Sequence, residues 1–423
     1  MITKNKNKWE EILIFLSIFV SSFVFFKQPF EGYFHYLIFI LLLPFFISRF
    51  GLPSIVLKLL FFPFIFGIIY VFIGYNLSFN FIKIAIGLLL SCSFYYYVFR
   101  YYDFNTFKLF SLFIKWSKVV GYIGLIQFIS YIIGFKFGYN YTWIFNKWGV
   151  TPGGIIGIRI NSIFSEPAQF SIILSPLIFL CIEHLISRRY IFISFKESLI
   201  TLFIFFLTSS STGYLGIAII IVIILINLRR FFDAILIFSL LYLVGIFIYD
   251  NVKDFQSRFN SFSNIIEGDK LTVEDINSSS FVLYNNFNVA ISNFKEHPLT
   301  GTGFGSYPLA YEKYSLTKAE DFLIKKGFDF NSQDGNSLFI RTIVETGLIG
   351  VLFLIIIVFK CFVFKDVKVK STSNTTAWLI SGGFLTLILL TYLRQGNYFL
   401  NGFPFFMWLY YYNSVNHKKM IND

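Results

Sequence analysis

The chain has 423 residues, of which 56% are hydrophobic and only 14% are charged. Soluble domains carry roughly 25% charged residues, so this composition excludes an ordinary water-soluble protein. The 60 phenylalanines and 26 tyrosines suit a lipid-facing surface with aromatic belts. A net charge of +12 would suggest nucleic acid in a soluble protein. Here Lys and Arg concentrate in short loops as orientation signals, so no nucleic-acid partner is expected.

Apolar runs that are long enough to cross the hydrocarbon core recur along the whole chain. We predict an all-α, polytopic membrane protein with about 12 transmembrane helices, which form a single integral membrane domain over residues 1–423. No cleavable signal peptide precedes the first run, which is interpreted as a retained helix. The predicted spans are 12–26, 34–47, 55–74, 81–99, 119–135, 168–186, 190–207, 214–228, 231–249, 338–359, 377–393 and 399–412.

The charges of the loops predict the orientation of the chain. One set of loops is rich in Lys and Arg, and both termini belong to it, whereas the opposite short loops GYNLSF and TSSST are nearly bare. This is the positive-inside pattern, so we expect a multi-pass protein of the cytoplasmic (inner) membrane with both termini in the cytoplasm. Two larger loops, residues 136–167 and 250–337, then lie outside and are expected to contain short helices.

The cysteines do not predict a disulfide framework or a metal site. Cys92, Cys181 and Cys361 all fall inside apolar runs, where they are interpreted as packing residues. We expect no metal and no cofactor.

In the first outer loop, the segment GIRINSIFSEPAQFS places Arg159 and Glu166 just before the sixth predicted span. Arg159 is either an anchor at the membrane interface or a ligand-binding cation. Glu166 is either part of a helix start, with Ser165 as cap and Pro167 in the first turn, or a catalytic carboxylate. A carboxylate and an arginine at the outer mouth of the bundle favour the functional interpretation.

In the large outer loop, the segment HPLTGTGFG contains His297 followed by glycines at alternating positions. Gly301 and Gly303 would turn successive N–H groups toward an anion, or they would simply form a tight turn. His297 is either a general base or a hydrogen-bonded turn residue. The segment is not a dinucleotide-binding fingerprint, because no strand–helix unit surrounds it.

A second polar segment, QDGNSLFIRTIVETGLIG, leads into the tenth predicted span. Asp334 would either cap that helix or line the outer cavity. Arg341 and Glu345 are four residues apart, a spacing that allows an ion pair within the helix. Two charges in the first turns of a membrane helix are costly, so they are expected to face the protein interior.

Two further arginines, Arg258 and Arg394, fall on the outer side, where positive-inside sorting does not explain them. Arginine makes bidentate contacts with phosphate oxygens, and an imidazole accepts a proton from a hydroxyl near neutral pH. This set of residue types suits transfer from a lipid-linked phosphate donor onto a hydroxyl. The chain has no HExxH, GxSxG or P-loop motif, which disfavours metal-dependent hydrolysis, serine hydrolysis and nucleotide-driven transport.

These segments together resemble a known superfamily. HPLTGTGFGSY, followed by DGNS and ETGLIG, resembles the outer-loop signature of the O-antigen ligases and Wzy-type polysaccharide polymerases. RINSIFSEPAQFS is similar to the segment before a middle helix in the polymerase branch, and LTSSSTGYLGIAIII to a helix start common across the superfamily. The similarity covers roughly residues 80–410 and extends to the order and the sidedness of the motifs.

The resemblance implies a membrane glycosyltransferase of the C type that uses undecaprenyl-diphosphate-linked glycans and no nucleotide sugar. It implies that His297 activates the acceptor hydroxyl and that Arg159 binds the diphosphate. The same diphosphate-binding role is implied for Arg258 and Arg394, but by their position in the chain rather than by a motif. The family often has a histidine before Asn-Ser at the second element. This chain has Asp334-Gly335 there, so Asp334 is only a candidate for the role of that histidine.

The function implied is polymerisation of a surface polysaccharide, either O-antigen of lipopolysaccharide or capsule, with a flippase and a chain-length regulator as possible partners. The SEPAQFS segment and the modest large loop favour a polymerase. A ligase of the same superfamily is the nearest alternative. A flippase for lipid-linked oligosaccharides would show charges deep in several spans and two similar halves. A receptor without chemistry would leave the outer arginines unexplained.

Overall fold

The computed structural model describes residues 8–26, 31–154, 157–188, 191–228, 278–316, 330–365 and 372–422, with isolated residues between 239 and 260. Nearly all regular structure in these residues is helical. The elements are α1 (Lys8–Phe19), α2 (Phe34–Phe50), α3 (Ser54–Ile73), α4 (Ser78–Tyr101), α5 (Thr106–Ile132), α6 (Lys136–Tyr139), β1 (Thr151–Pro152), β2 (Ile158–Arg159), α7 (Pro167–Ser187), α8 (Phe195–Leu207), α9 (Ser211–Leu228), α10 (Ser278–Glu296), α11 (Tyr307–Tyr314), α12 (Leu338–Cys361), α13 (Thr372–Arg394), a 3-10 turn (Leu400–Gly402) and α14 (Phe403–Asn422).

Helices occupy the predicted runs from the first to the eighth and from the tenth to the twelfth. The ninth run, residues 231–249, lies outside the described residues apart from isolated positions. Within the described chain, six helices are long and apolar enough to cross a membrane, and α2 and α9 are shorter apolar helices. The chain is therefore a polytopic membrane protein, and the number twelve stays a prediction.

Several boundaries differ from the prediction. The helix α5 begins at Thr106, where Asn105 is its cap residue, rather than at residue 119. The first run, 12–26, is helical only as far as Phe19, after which Val24 pairs with Tyr33 as an isolated bridge. The seventh begins late, because Ser194 and Glu197 form a capping box that starts α8 at Phe195. The predicted all-α class is confirmed, and β1 and β2 add only a two-residue antiparallel pair. These departures come from local hydrogen bonds that hydropathy does not report.

The centre of the bundle consists of α7 and α13. In the most apolar 18-residue stretch of α7, 78% of the residues are buried, and in that of α13, 83% are buried. The corresponding fraction in α3 is 17%. Close packing follows from Gly382 and Gly383 of α13, where an added Cβ would collide with Phe179 and crowd Pro176 of α7. Small residues let membrane helices approach in this way. The peripheral α3 is left facing lipid.

The two ends of the bundle differ in chemistry. We call the end at which α4 and α12 begin and α13 ends the site end; there, Ser337 Oγ donates to the carbonyl of Tyr392 at 2.8 Å. The opposite end contains a partly exposed ion pair, Lys118–Glu197 at 3.0 Å, and a largely buried one, Lys365–Glu183 at 2.9 Å. Among the described residues, Arg49 at the end of α2 and Arg100 near the end of α4 lie at the opposite end, whereas His297, Asp334 and Arg341 lie at the site end.

Candidate active site

The organising feature of the site end is a break in α12 at Gly347. Its φ of 57° and ψ of −151° interrupt the helix and free the backbone groups on either side. The loop of residues 297–305, hereafter the histidine loop, satisfies them. The N–H groups of Thr302 and Gly303 donate to the carbonyls of Val344 and Glu345, both at 2.9 Å, and the N–H groups of Leu348 and Ile349 donate to Pro298 and Leu299 at 2.9 and 3.1 Å. Irregular backbone inside a membrane helix requires such internal partners.

Glycine is required on both sides of this contact. Gly347 adopts a combination of φ and ψ that is essentially confined to glycine, and an added Cβ would lie 2.7 Å from the nitrogen of Gly301. A Cβ on Gly301 would in turn overlap the carbonyl oxygen of Val344. The N–H groups of Gly301 and Gly303 donate to the carbonyls of His297 and Glu345. Both glycines are thus engaged in shaping the loop, as the turn interpretation of the sequence expects.

We expect Gly347→Ala to lower the melting temperature of the purified protein. The strained backbone alone costs about 1–3 kcal/mol, and the collision with the histidine loop adds to it. Gly121→Ala is the matched control, because a Cβ there meets only Ile204, at 3.9 Å. Equal melting temperatures for the two variants would contradict the account of the broken helix.

His297 follows the last residue of α10 and is half-buried. Its N–H donates to the carbonyl of Asn293 at 2.9 Å, and its ring centroid lies 4.6 Å from that of Tyr75, in the α3–α4 connection. The hydroxyl of Tyr70 pairs with that of Thr300, so α3 also contacts the histidine loop. Both supports orient the imidazole at the site end.

The neighbouring Glu296 is fixed by a surface ion pair with Lys313 of α11 at 2.6 Å. This hydrogen bond lowers the pKa of Glu296 and raises that of Lys313. Since both side chains are largely exposed, the pair serves mainly to connect α10 with α11.

Arg341 is buried and contacts three partners, Glu345, Gly396 and Tyr398. Its Nε donates to Glu345 Oε1 at 2.7 Å, and its Nη1 donates to the carbonyl of Gly396 at 2.9 Å. The guanidinium lies 4.6 Å from the ring centroid of Tyr398, whose hydroxyl donates to Glu345 Oε2 at 2.7 Å. The intrahelical ion pair expected from the spacing is therefore present, and it binds α12 to the segment after α13.

Asp334 lies beside the same segment. Its Oδ1 accepts a hydrogen bond from the N–H of Asn336 at 3.0 Å, and a Cβ on Gly396 would overlap the Asp334 carbonyl. Asp334 does not cap α12, because Ser337 is the cap residue and its Oγ accepts from the N–H of Ile340. The aspartate thus faces the segment that also receives Arg341.

The loop before α2 borders the same region. Lys147 contacts Glu31 at 2.5 Å, and the hydroxyl of Tyr33 donates to Glu31. Burial, followed by the hydrogen bond and charge of Glu31, raises the pKa of Tyr33, and the charge of Asp334 adds to this shift.

Arg159 and Glu166 lie on a different set of elements. Arg159 is in β2, and its Nε lies 3.4 Å from the carbonyl of Thr208, just before α9. Glu166 is the residue before α7; its side chain is exposed and makes no capping hydrogen bond. The helix start predicted for Ser165 thus shifts by one residue to Glu166. Its exposed carboxylate remains accessible at the start of α7.

The sequence interpretation missed the residues that hold this loop. Gln127 of α5 accepts hydrogen bonds from the N–H groups of Asn161 and Ser162, at 3.1 and 2.9 Å, and donates to Asn161 Oδ1 at 3.0 Å. All three residues are buried. A glutamine within an apolar run was the available signal, and its role is to fix the backbone between Arg159 and Glu166.

Of the two remaining arginines, Arg394 and Arg258, the structure describes only the first. Arg394 is the last residue of α13 and half-buried, two positions before Gly396. Arg258 lies outside the described residues, so its place relative to the site stays a prediction. The structure thus brings the histidine loop, Arg341, Asp334 and the segment that follows Arg394 together at the break in α12.

A cleft of about 470 Å³ opens next to this region. It lies between the start of α4, the helix α11 and the residues before Asp334. Its lining combines the polar side chains of Asn80, Tyr311, Glu312, Ser332 and Gln333 with the apolar side chains of Leu77, Pro308 and Leu309.

The architecture at this point defines a polytopic membrane protein whose broken helix is completed by the histidine loop. Residues 198–355 match the family model described as O-antigen ligase, Wzy_C. The match runs from α8 into α12 and includes the histidine loop and the break at Gly347. The chain therefore carries a domain of the O-antigen ligase family, whose members are membrane enzymes that transfer glycans. No curated protein matches the chain.

Proposed function

We propose that this protein is a polysaccharide polymerase of the cytoplasmic membrane. It moves a growing glycan from an undecaprenyl-diphosphate carrier to a hydroxyl of the next lipid-linked repeat unit at the outer face. The observation that carries the proposal is the histidine loop inserted into the broken helix, within the region that matches the O-antigen ligase family. This arrangement puts a titratable imidazole, a buried Arg–Glu pair and an aspartate at one end of the bundle.

The reaction balances without a nucleotide. His297 accepts the proton of the acceptor hydroxyl, and the resulting oxygen nucleophile attacks the anomeric carbon of the donor sugar. The bond between that carbon and the diphosphate oxygen breaks, and undecaprenyl diphosphate leaves with the electron pair. Arginines stabilise the charge that develops on this leaving group, because bidentate contacts to phosphate are strong. Glu166 is the second candidate for the base, since its carboxylate is exposed at the start of α7.

A ligase is the second candidate function, because the matched family is named for that activity. The resemblance of the SEPAQFS segment to the polymerase branch favours polymerisation. Deletion of the gene in its native strain distinguishes the two. Loss of a polymerase leaves only single-repeat glycans, whereas loss of a ligase leaves long chains on the lipid carrier. Accumulation of long lipid-linked chains would therefore contradict the polymerase assignment.

We expect Arg159→Ala to raise the KM for the lipid-diphosphate donor by about tenfold or more, since a charge-assisted hydrogen bond contributes roughly 1.5–3 kcal/mol. Arg159→Lys should recover part of this loss, because it keeps the charge and loses only the bidentate geometry. Arg49→Ala, at the basic end of α2, is the control. Wild-type kinetics for Arg159→Ala would remove Arg159 from the diphosphate site.

A further inference from the structure

Lys83 is a cation inside a membrane helix that neither the family resemblance nor the spacing of motifs indicates. It lies five residues into α4, roughly 7–8 Å along the axis at about 1.5 Å per residue. An ionisable residue at such a position is costly and usually functional. Lys83 also lies outside residues 198–355, so the matched family domain does not account for it.

The face of α4 that carries Lys83 is directed toward the site. Asn80, Lys83 and Gly87 share one face by their spacing of three and seven residues. Next to Asn80 lies Gly305 of the histidine loop, where an added Cβ would be 2.6 Å from the Asn80 carbonyl oxygen. Next to Gly87 lies Phe399, one residue after Tyr398. Lys83 is thus between the histidine loop and the segment that holds Arg341.

The charged groups that act on Lys83 are Arg341, Glu345, Asp334 and Glu31. Glu345 is bound by Arg341 and Tyr398, and Glu31 is bound by Lys147. Within the part of the chain that the structure describes, Lys83 itself makes no hydrogen bond or ion pair. The third carboxylate, Asp334, accepts a hydrogen bond from the N–H of Asn336. The Lys83 ammonium therefore has no anion in direct contact among the described residues, and an added anion would supply one.

The surface beside Lys83 indicates where that anion comes from. Phe79, Ile82 and Ile86 of α4 are exposed by 53%, 51% and 52% and face the surrounding lipid. A ligand with an apolar tail would lie along them while its head group reaches Lys83. Simple snorkelling of the ammonium to the interface is the alternative, and it predicts no effect on ligand affinity.

We propose that Lys83 binds a phosphate oxygen of a lipid diphosphate and so positions the leaving group of the donor. The assignment rests on the proposed function for the identity of the lipid, but the binding itself is testable without glycan transfer. Lys83 is a positioning residue for the diphosphate, contributed by the half of the chain that precedes the family domain.

The test is equilibrium binding to the full-length protein in nanodiscs. The probes are undecaprenyl diphosphate, undecaprenol, which lacks phosphate, and inorganic diphosphate. Lys83→Met should weaken binding of undecaprenyl diphosphate about tenfold or more and leave undecaprenol unchanged, and Lys83→Arg should retain most of the affinity. Lys58→Met, an exposed lysine of α3, is the matched control and should bind all probes as the wild type does.

Unchanged affinity of Lys83→Met for undecaprenyl diphosphate would overturn the proposal, and so would equal losses for undecaprenol, which would indicate a structural role. Inorganic diphosphate binding as tightly as the lipid would assign the site to a soluble anion instead. The proposed function fails separately. If the wild type polymerises no repeats but Lys83→Met still loses the lipid diphosphate, the polymerase assignment is wrong and the anion site stands.

Discussion

Replacing His297 by alanine is expected to abolish long polysaccharide while the amount of protein and the single-repeat glycans stay unchanged. A general base contributes a factor of about 10² to 10⁴ to the rate, so the residual rate is too low to build long chains. The side chain is half-buried and packs on Tyr75, whereas the backbone of the loop makes the contacts with α12. Removal of the imidazole should therefore spare the fold.

The measurement is the length distribution of surface glycan in a deletion strain complemented with each variant. His417→Ala is the control, because this histidine lies near the end of α14 at the basic end of the bundle. A normal length distribution in His297→Ala would refute the base assignment. Glu166→Gln, tested in parallel, would then become the variant that decides the identity of the base.

The second large effect is expected from Arg341→Ala. This change leaves the carboxylate of Glu345 buried without its main partner, and removal of one member of a buried pair costs about 3–5 kcal/mol. It also removes the hydrogen bond to the carbonyl of Gly396. We expect a large drop in melting temperature and loss of polymerisation, measured on the purified protein and in the complemented strain.

A double variant separates the charge from the packing. Arg341→Met combined with Glu345→Gln removes both charges and keeps similar volumes, so it should be more stable than Arg341→Ala. If the double variant is as unstable as the single one, the unpaired carboxylate is not the cause. If Arg341→Ala is as stable as the wild type, the contacts among Arg341, Glu345 and Tyr398 do not hold the site end together.

Hydropathy was sufficient to predict most helices, because membrane helices follow from apolar length alone. The run at 168–186 corresponds to α7 at Pro167–Ser187, and the run at 55–74 to α3 at Ser54–Ile73. The break in α12 could not be predicted in this way. The mean hydropathy of ETGLIG does not reveal a break at Gly347. The break is stable because the histidine loop, some 45 residues earlier in the chain, supplies its hydrogen bonds.

The candidate site was predicted in part for a similar reason. The pairing of Arg341 with Glu345 follows from local spacing, so the sequence contains it. Gly396 and Tyr398, which also contact Arg341 or Glu345, follow α13 in the chain. No local sequence pattern around Arg341 indicates these contacts. Lys83 was overlooked because a single lysine barely changes the hydropathy of α4. Its position between the histidine loop and Phe399 is a property of the packed bundle.

The central claim is that the protein joins lipid-linked repeat units to each other. The most direct measurement uses purified protein in nanodiscs with repeat units on undecaprenyl diphosphate and no nucleotide. We predict a ladder of lipid-linked glycans that differ by one repeat, with one undecaprenyl diphosphate released for each bond formed. Transfer of repeats only to a different acceptor, such as lipid A core, or movement of the lipid across the membrane without any covalent product, would contradict the claim.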